Sequence, residues 1–117
     1  MTNAAIHNFT VNQGATLRRQ FRWTVAGQPV DLAGYRVHSQ WRLKVTSPDA
    51  LADLTTENGG IEITDPASGV FALSMSAEQT SALSFKTAVY DIELISPAGV
   101  VTRLLAGTVT LSLEVTR

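Results

Sequence analysis

Cysteine is absent from the 117-residue sequence, and the two histidines are His7 and His38. Without thiols the chain has no disulfide, no thiolate nucleophile and no sulfur-ligated zinc site. The histidines lack the close spacing that would place two ring nitrogens on one ion, so we predict neither a metal site nor a cofactor site. Glycine-rich phosphate-binding motifs and a Gly-x-Ser-x-Gly nucleophile turn are also missing. We therefore predict no catalytic residues and a protein that is not an enzyme.

The sequence has no large excess of positive or negative charge, and it has no long apolar run. Nine Lys and Arg residues face ten Asp and Glu residues, which gives a net charge of -1 and no overall attraction to nucleic acid or anionic membranes. No apolar run approaches the roughly 18 to 20 residues of a membrane span. The polar first residues lack the basic and apolar segments of a signal peptide. We expect no nucleic-acid partner, no membrane partner and no export by a signal peptide.

The composition is that of a folded domain, with 44% apolar and 16% charged residues. Alternating apolar and polar residues predict strands in most of the chain. The predicted strands cover residues 15–25, 35–45, 61–64, 70–74, 87–95, 100–105 and 109–115. Because no long helix separates them, the pattern favours an antiparallel sandwich or a small barrel, with residues 1–117 as a single β-sandwich domain.

Three local features modify this pattern. Residues 50–60 show weak periodicity and predict an exposed connection. Ser76 and Gln79 have the spacing of a capping box, which predicts a short helix over residues 77–83. Gly107 interrupts the last apolar run, so we expect a bulge or bend there that lets the last strand serve two sheets.

The charges are unevenly distributed along the chain. Residues 1–45 carry six basic groups and one acid, whereas residues 46–117 carry three basic groups and nine acids. If the two basic strands are sheet neighbours, one polar face is strongly basic, with Trp23 and Trp41 in the core behind it. This face either meets an acidic partner, such as another copy, or is neutralised by acids of the same molecule. The candidate interface residues are Arg18, Arg22, Arg36, Arg42 and Lys44.

Arg19 and Arg103 each fall on the face otherwise occupied by apolar residues. Since a buried guanidinium requires a carboxylate partner, two explanations remain open. Either a bulge reverses the alternation, or the arginine is a paired interior or interface group. Asp91 and Glu93 are candidate partners for Arg103.

Acidic residues are frequent between positions 49 and 65. A pair of carboxylates there would be the only source of glycosidase chemistry, while the Asp-x-Asp-x-Asp-Gly spacing of a calcium loop is missing. We interpret these residues as solvated charges in loops. They are Asp49, Asp53, Glu57, Glu62 and Asp65.

Three stretches together resemble a group of small structural proteins of tailed bacteriophages. The first covers residues 13–23 and continues into a V-D-L-x-G-Y link at residues 30–35. The second is a G-x-x-x-L-x-L-S-A-E-Q-T-like segment at residues 69–80. The third covers residues 89–94, 99–107 and 114–117, so that nearly the whole chain is matched except residues 47–60. The arrangement is similar to the N-terminal sandwich domain of phage upper-baseplate proteins.

This resemblance implies an immunoglobulin-like sandwich of about seven strands with one short helical turn. It implies a non-enzymatic virion protein of the tail, baseplate or fibre attachment, made in the bacterial host cytoplasm and located in the virion. Other phage virion proteins, and further copies of the chain, are the expected partners. The alternative is a phage-encoded binding module or inhibitor of a host protein that is not part of the virion. The resemblance provides no catalytic residues to transfer.

Overall fold

The structure is a computed structural model that describes residues 4–116. Residues 1–3, which belong to the polar start of the sequence, and Arg117, the end of the third resembling stretch, lie outside the described residues. Within residues 4–116 there are eleven strands, of which β1, β4 and β5 have two residues each. The strands are β1 (Ala5–Ile6), β2 (Phe9–Asn12), β3 (Leu17–Arg22), β4 (Thr24–Val25), β5 (Gln28–Pro29), β6 (Arg36–Arg42), β7 (Ala52–Thr55), β8 (Ile61–Asp65), β9 (Val70–Met75), β10 (Thr87–Ile95) and β11 (Val101–Ser112).

The strands form one large sheet, one small sheet and a hairpin. The large sheet has the order β7-β6-β10-β11-β1, and β2 also pairs with β11. The small sheet has the order β3-β9-β8, and β4 pairs with β5. Pairing is antiparallel except for β1 and β2, which run parallel to β11. The prediction of an all-β, mainly antiparallel fold is therefore confirmed.

Both sheets contribute to one apolar cluster. Phe71 and Leu73 of β9 enter it from the small sheet, and Trp41 and Ile92 enter it from the large sheet. All four side chains are fully buried. Apolar inner faces that pack together are the arrangement of a sandwich-like fold. Along β10 every second residue is buried, as the alternation predicts.

The connections differ from the predictions in two places. β6 ends at Arg42, and Leu43 and Val45, which the alternation placed in the core, are 55% and 82% exposed. The chain then turns, and β7 pairs with β6 inside the region predicted as an exposed connection. Leu54 of β7 is buried against the core. That prediction was wrong because a four-residue edge strand with one buried apolar side chain has almost no periodic signal.

The last strand is continuous through Gly107 and lies in the large sheet only, so the prediction that it serves two sheets was wrong. The glycine is required because a Cβ there would collide with the main-chain carbonyl of His7. The bulge lies three residues earlier, since Ile92 faces Leu105 but Glu93 faces Arg103, which leaves Leu104 unmatched. β11 ends at Ser112, so the predicted strand over residues 109–115 is too long.

The short helix α1 (Ala77–Ser81) begins with the predicted capping box. Ser76 Oγ accepts from the amide of Gln79, and Gln79 Oε1 accepts from the amide of Ser76. The helix is shorter than predicted, but it positions Thr80, which is fully buried. Its hydroxyl donates to Ala15 O and accepts from the amide of Gly14, which fixes the turn that leads into β3.

Candidate functional site

The five candidate interface residues do not share one sheet. Arg18 and Arg22 lie on β3 of the small sheet, whereas Arg36 and Arg42 lie on β6 of the large sheet and Lys44 lies in the turn after it. The premise that the two basic strands are neighbours is therefore wrong, since β3 pairs with β9 and β6 pairs with β10 and β7. The positive charge is divided between two faces of the molecule.

On the small sheet, Arg18 is paired within the molecule. Its Nη2 donates to Glu62 Oε1 of β8 at 3.0 Å, and its Nη1 donates to Ser74 Oγ of β9 at 3.0 Å. The contact spans the whole three-stranded sheet, from one edge strand to the other. Both side chains are more than half exposed, so this is a surface ion pair of small energy.

Arg22 is exposed on the same strand, and no ion pair or side-chain hydrogen bond connects it to any residue in the part of the chain that the structure describes. Arg36 is also exposed, and its charge acts on Glu57 in the turn between β7 and β8. A hydrogen bond from the backbone of Glu57, hydrogen bonds from Thr56 and Thr55, and the Arg36 charge together lower the pKa of Glu57. Of the five candidate interface residues, Arg22, Arg36 and Lys44 thus form no ion pair and no side-chain hydrogen bond within residues 4–116.

The outer face of the large sheet carries a depression of about 460 Å³. Its charged lining comes from three adjacent strands, with His38 and Arg42 on β6, Asp91 and Glu93 on β10 and Arg103 on β11. In the register, Glu93 lies between His38 and Arg103. Positive and negative groups alternate across this face, so it has no strong preference for a ligand of one charge.

The two basic residues of β6 on this face are held by other residues of the same chain. His38 Nε2 donates to Asp53 Oδ1 at 2.7 Å, which links β6 to β7. Arg42 donates to Gln40 Oε1 at 2.7 Å and to Ser47 O at 3.1 Å, so its guanidinium is held against its own strand and the following turn. His38 thus has an acidic partner in the same molecule, as the second of the two alternatives expects, whereas Arg42 is bound only by an uncharged amide oxygen and a main-chain carbonyl.

Arg103 reaches this face because of the bulge at Leu104. Without the unmatched residue the alternation of β11 would direct Arg103 inward, as the sequence pattern indicated. Its Nε instead lies 3.7 Å from Asp91 Oδ2, with 62% of the Arg103 side chain exposed. Of the two explanations left open for Arg103, the bulge is the one that the structure shows, and of the two candidate partners Asp91 is the one in contact.

Arg19 has a different environment, because the register of β3 is unbroken and the side chain does point inward. Its Nη2 donates to His7 Nε2 at 2.9 Å, and its guanidinium carbon lies 5.3 Å from the centre of the Phe9 ring. A ring nitrogen of His7 and the aromatic ring of Phe9 therefore take the place of the expected carboxylate. Tyr90 closes this cluster by donating to His7 O at 2.6 Å, and its burial raises its pKa to about 12, with Arg19 opposing the shift.

The acidic residues between positions 49 and 65 do not converge. Asp53 binds His38, Glu62 binds Arg18, and Glu57 is fully exposed in a turn. Within residues 4–116, no three His, Asp or Glu side chains are grouped so that they could hold a metal ion. In the same residues, no helix is long and apolar enough to cross a membrane.

The small sheet leaves two edges open. Within residues 4–116, β3 and β8 each pair with β9 alone. The main-chain groups on the outer side of an edge strand can extend the sheet into another chain. Arg18 and Arg22 on β3 were identified from the sequence as interface residues. The sequence did not identify β8 as the other edge of this sheet. That position depends on pairing between strands that are distant in the sequence.

No protein-family model matches this chain, and no curated protein matches it.

Proposed function

We propose that this protein is a non-enzymatic structural component of a tailed bacteriophage particle, part of the tail, the baseplate or the fibre attachment. The observation that carries the proposal is the resemblance of the three sequence stretches to small phage structural proteins. In the chain these stretches form β3 with the link to β6, β9 with α1, and β10 with β11.

Two features of the molecule support an assembly role. First, the fold is sandwich-like, and we assign it to the immunoglobulin-like class to which the resembling domains belong. Second, the edge strands of the small sheet leave main-chain groups without a neighbouring strand, and Arg22 on β3 has no ion-pair partner in residues 4–116. Sheet edges and exposed charges are the features through which small β domains join neighbouring proteins.

Peptide mass spectrometry of gradient-purified particles of the phage that encodes the chain tests this role. We expect the protein in the particles at a small fixed multiple relative to a known capsid protein, because tail and baseplate parts are built with defined symmetry. A protein abundant in the infected-cell lysate but absent from purified particles would refute the proposal. It would favour the binding module or inhibitor of a host protein, and capture of host proteins on the purified chain would then identify the target.

A further inference from the structure

The two open edges of the small sheet have opposite charge. β3 carries Arg18 and Arg22 on the outer face, whereas β8 carries Glu62 on the outer face. The inner faces of both strands are mainly apolar, with Phe21 on β3 and Ile63 on β8 packed at the margin of the core. Each edge thus presents the charge pattern that complements the other.

The direction of the free main-chain groups can be read from the hydrogen bonds to β9. Trp23 N donates to Gly69 O at 2.8 Å, so the groups of Trp23, and of every second residue before it, point toward β9. The groups of Arg18, Gln20 and Arg22 therefore point to the open edge, because main-chain groups alternate along a strand. These are the residues of β3 whose side chains lie on the outer face.

On β8 the relation is reversed. Ser74 N donates to Gly60 O at 2.8 Å, so Gly60 and, two residues later, Glu62 point toward β9. Ile61 and Ile63 direct their free groups to the open edge, and their side chains lie on the inner face. The irregularity of β8 falls after Ile63, so this part of the edge is regular.

We propose that β3 of one copy pairs in parallel with β8 of a second copy, so that the small sheets of successive copies join head to tail. In a parallel pair, a residue whose groups face the partner lies beside a residue whose groups face away. This condition places Arg22 of one copy beside Glu62 of the next, with both side chains on the outer face. An antiparallel pair of β3 with β8 would bring outer side chains beside inner ones.

The charges disfavour the symmetric alternatives. Two β3 edges would place Arg18 of one copy beside Arg22 of the other, and two β8 edges would place Glu62 beside Glu62 of the second copy. Like charges directly opposite each other destabilise a strand pair. The register with Arg22 beside Glu62 also aligns Phe21 and Trp23 with Ile61 and Ile63, so the inner face stays apolar.

A head-to-tail contact of this kind is heterologous and continues until a ring closes or a filament grows. Only a few residues on each side take part, so we expect an interface below about 1,200 Å² and a weak, concentration-dependent association. The inference rests on the proposed function only for the idea that the pairing takes place in a phage particle. The pairing itself is a property of the purified chain. Absence from particles would refute the virion role, whereas a monomeric chain would refute the pairing.

Sedimentation velocity over a series of protein concentrations, at low and high salt, measures the association. We expect the wild-type chain to associate, and to do so less at high salt because the contact is charged. Arg22→Glu and Glu62→Arg should each weaken the association by about tenfold or more, since each places like charges together. The double variant Arg22→Glu/Glu62→Arg should recover association relative to either single variant, because positions 22 and 62 again carry opposite charges, while Arg18 loses its own acidic partner.

Two further variants separate this contact from general charge effects. Arg36→Glu makes the same charge change on the large sheet and should leave the association unchanged. Gln20→Pro removes an edge-facing donor without breaking the ladder to β9, and should weaken the association at unchanged net charge. A wild-type chain that stays monomeric, a double variant that does not recover, or an Arg36→Glu variant that weakens the association as much as Arg22→Glu would overturn the proposal. Circular dichroism of each variant checks that it is folded.

Discussion

The two sheets of this molecule differ in how their charged side chains are paired. On the large sheet, His38 binds Asp53, and Arg103 lies near Asp91 on the same face. On the small sheet, the Arg18–Glu62 pair spans the surface, and Arg22 has no ion-pair partner in residues 4–116. The large sheet therefore pairs charges on neighbouring strands, whereas the small sheet pairs Arg18 with Glu62 across its whole width and leaves Arg22 at an open edge.

This difference shows that a charge split along the chain does not produce one charged face. The two basic strands, β3 and β6, lie in different sheets, and the acidic remainder of the chain supplies the neighbours of both. Where an arginine lies beside an acid on adjoining strands, the charge is used within the molecule. Arg22, on the edge strand β3, has no ion-pair partner in residues 4–116 and remains available to another chain.

The largest expected effect comes from the core that joins the sheets. Phe71→Ala removes a fully buried ring that stacks on Phe21, with ring centres 5.6 Å apart. We expect the free energy of unfolding to fall by about 3–5 kcal/mol, measured by urea denaturation. Val101→Ala, at a side chain that is 56% exposed, is the matched control and should change it by less than about 0.5 kcal/mol.

Because both sheets share this cluster, we expect the Phe71→Ala variant to unfold in one transition. Fluorescence of the tryptophans and far-UV circular dichroism should give the same midpoint. Separate midpoints would mean that the sheets are independent folding units and that the comparison between them is one between two domains.

A second prediction concerns the bond between Tyr90 of the large sheet and the chain at His7. Burial raises the pKa of Tyr90 from 10.0 to about 12, so the unfolded chain loses this proton at lower pH than the folded one. The associated stability is fully present below pH 10 and is lost as the pH rises to about 12. At about 1.4 kcal/mol per pKa unit, the loss amounts to about 2–3 kcal/mol.

The effect of the Tyr90 hydroxyl is isolated by comparing the free energies of unfolding of wild type and Tyr90→Phe between these pH values. The lysines titrate in both proteins, so their contribution cancels in the comparison. We expect the wild-type free energy to fall more steeply with pH than that of the variant. Parallel curves would show that the Tyr90 hydroxyl ionises in the folded protein as it does in the unfolded chain.

Local patterns in the sequence predicted those features that depend on neighbouring residues. The alternation in β10 identified a strand with the observed bounds, and the spacing of Ser76 and Gln79 identified the helix start. Arg103 was recognised as out of phase, and the bulge at Leu104 is the physical cause. In each case the signal lies within a few residues of the feature.

Features set by non-local pairing could not be predicted in this way. β7 has one buried apolar side chain, Leu54, and becomes a strand because β6 offers an edge to it. The sequence pattern predicted a carboxylate partner for Arg19, but its partner is His7, which lies in the link between β1 and β2; these two strands reach the site by pairing with β11. The two basic strands likewise lie in different sheets because of the strands with which each of them pairs, and this pairing is not local in the sequence.

The smallest expected effect tests whether the ion pair across the small sheet contributes to stability. Arg18→Ala removes the 3.0 Å contact with Glu62, and Arg22→Ala on the same strand removes an equally charged side chain without an ion-pair partner in residues 4–116. Because the pair is more than half exposed, we expect Arg18→Ala to cost only about 0.2–1 kcal/mol in low salt, and less in high salt. Urea denaturation of dilute protein, where association is negligible, measures both variants. If Arg22→Ala lowers the free energy of unfolding as much as Arg18→Ala does, then positive charge in general, and not the ion pair, stabilises this sheet. The two sheets would then differ less in how their charges are paired than the geometry indicates.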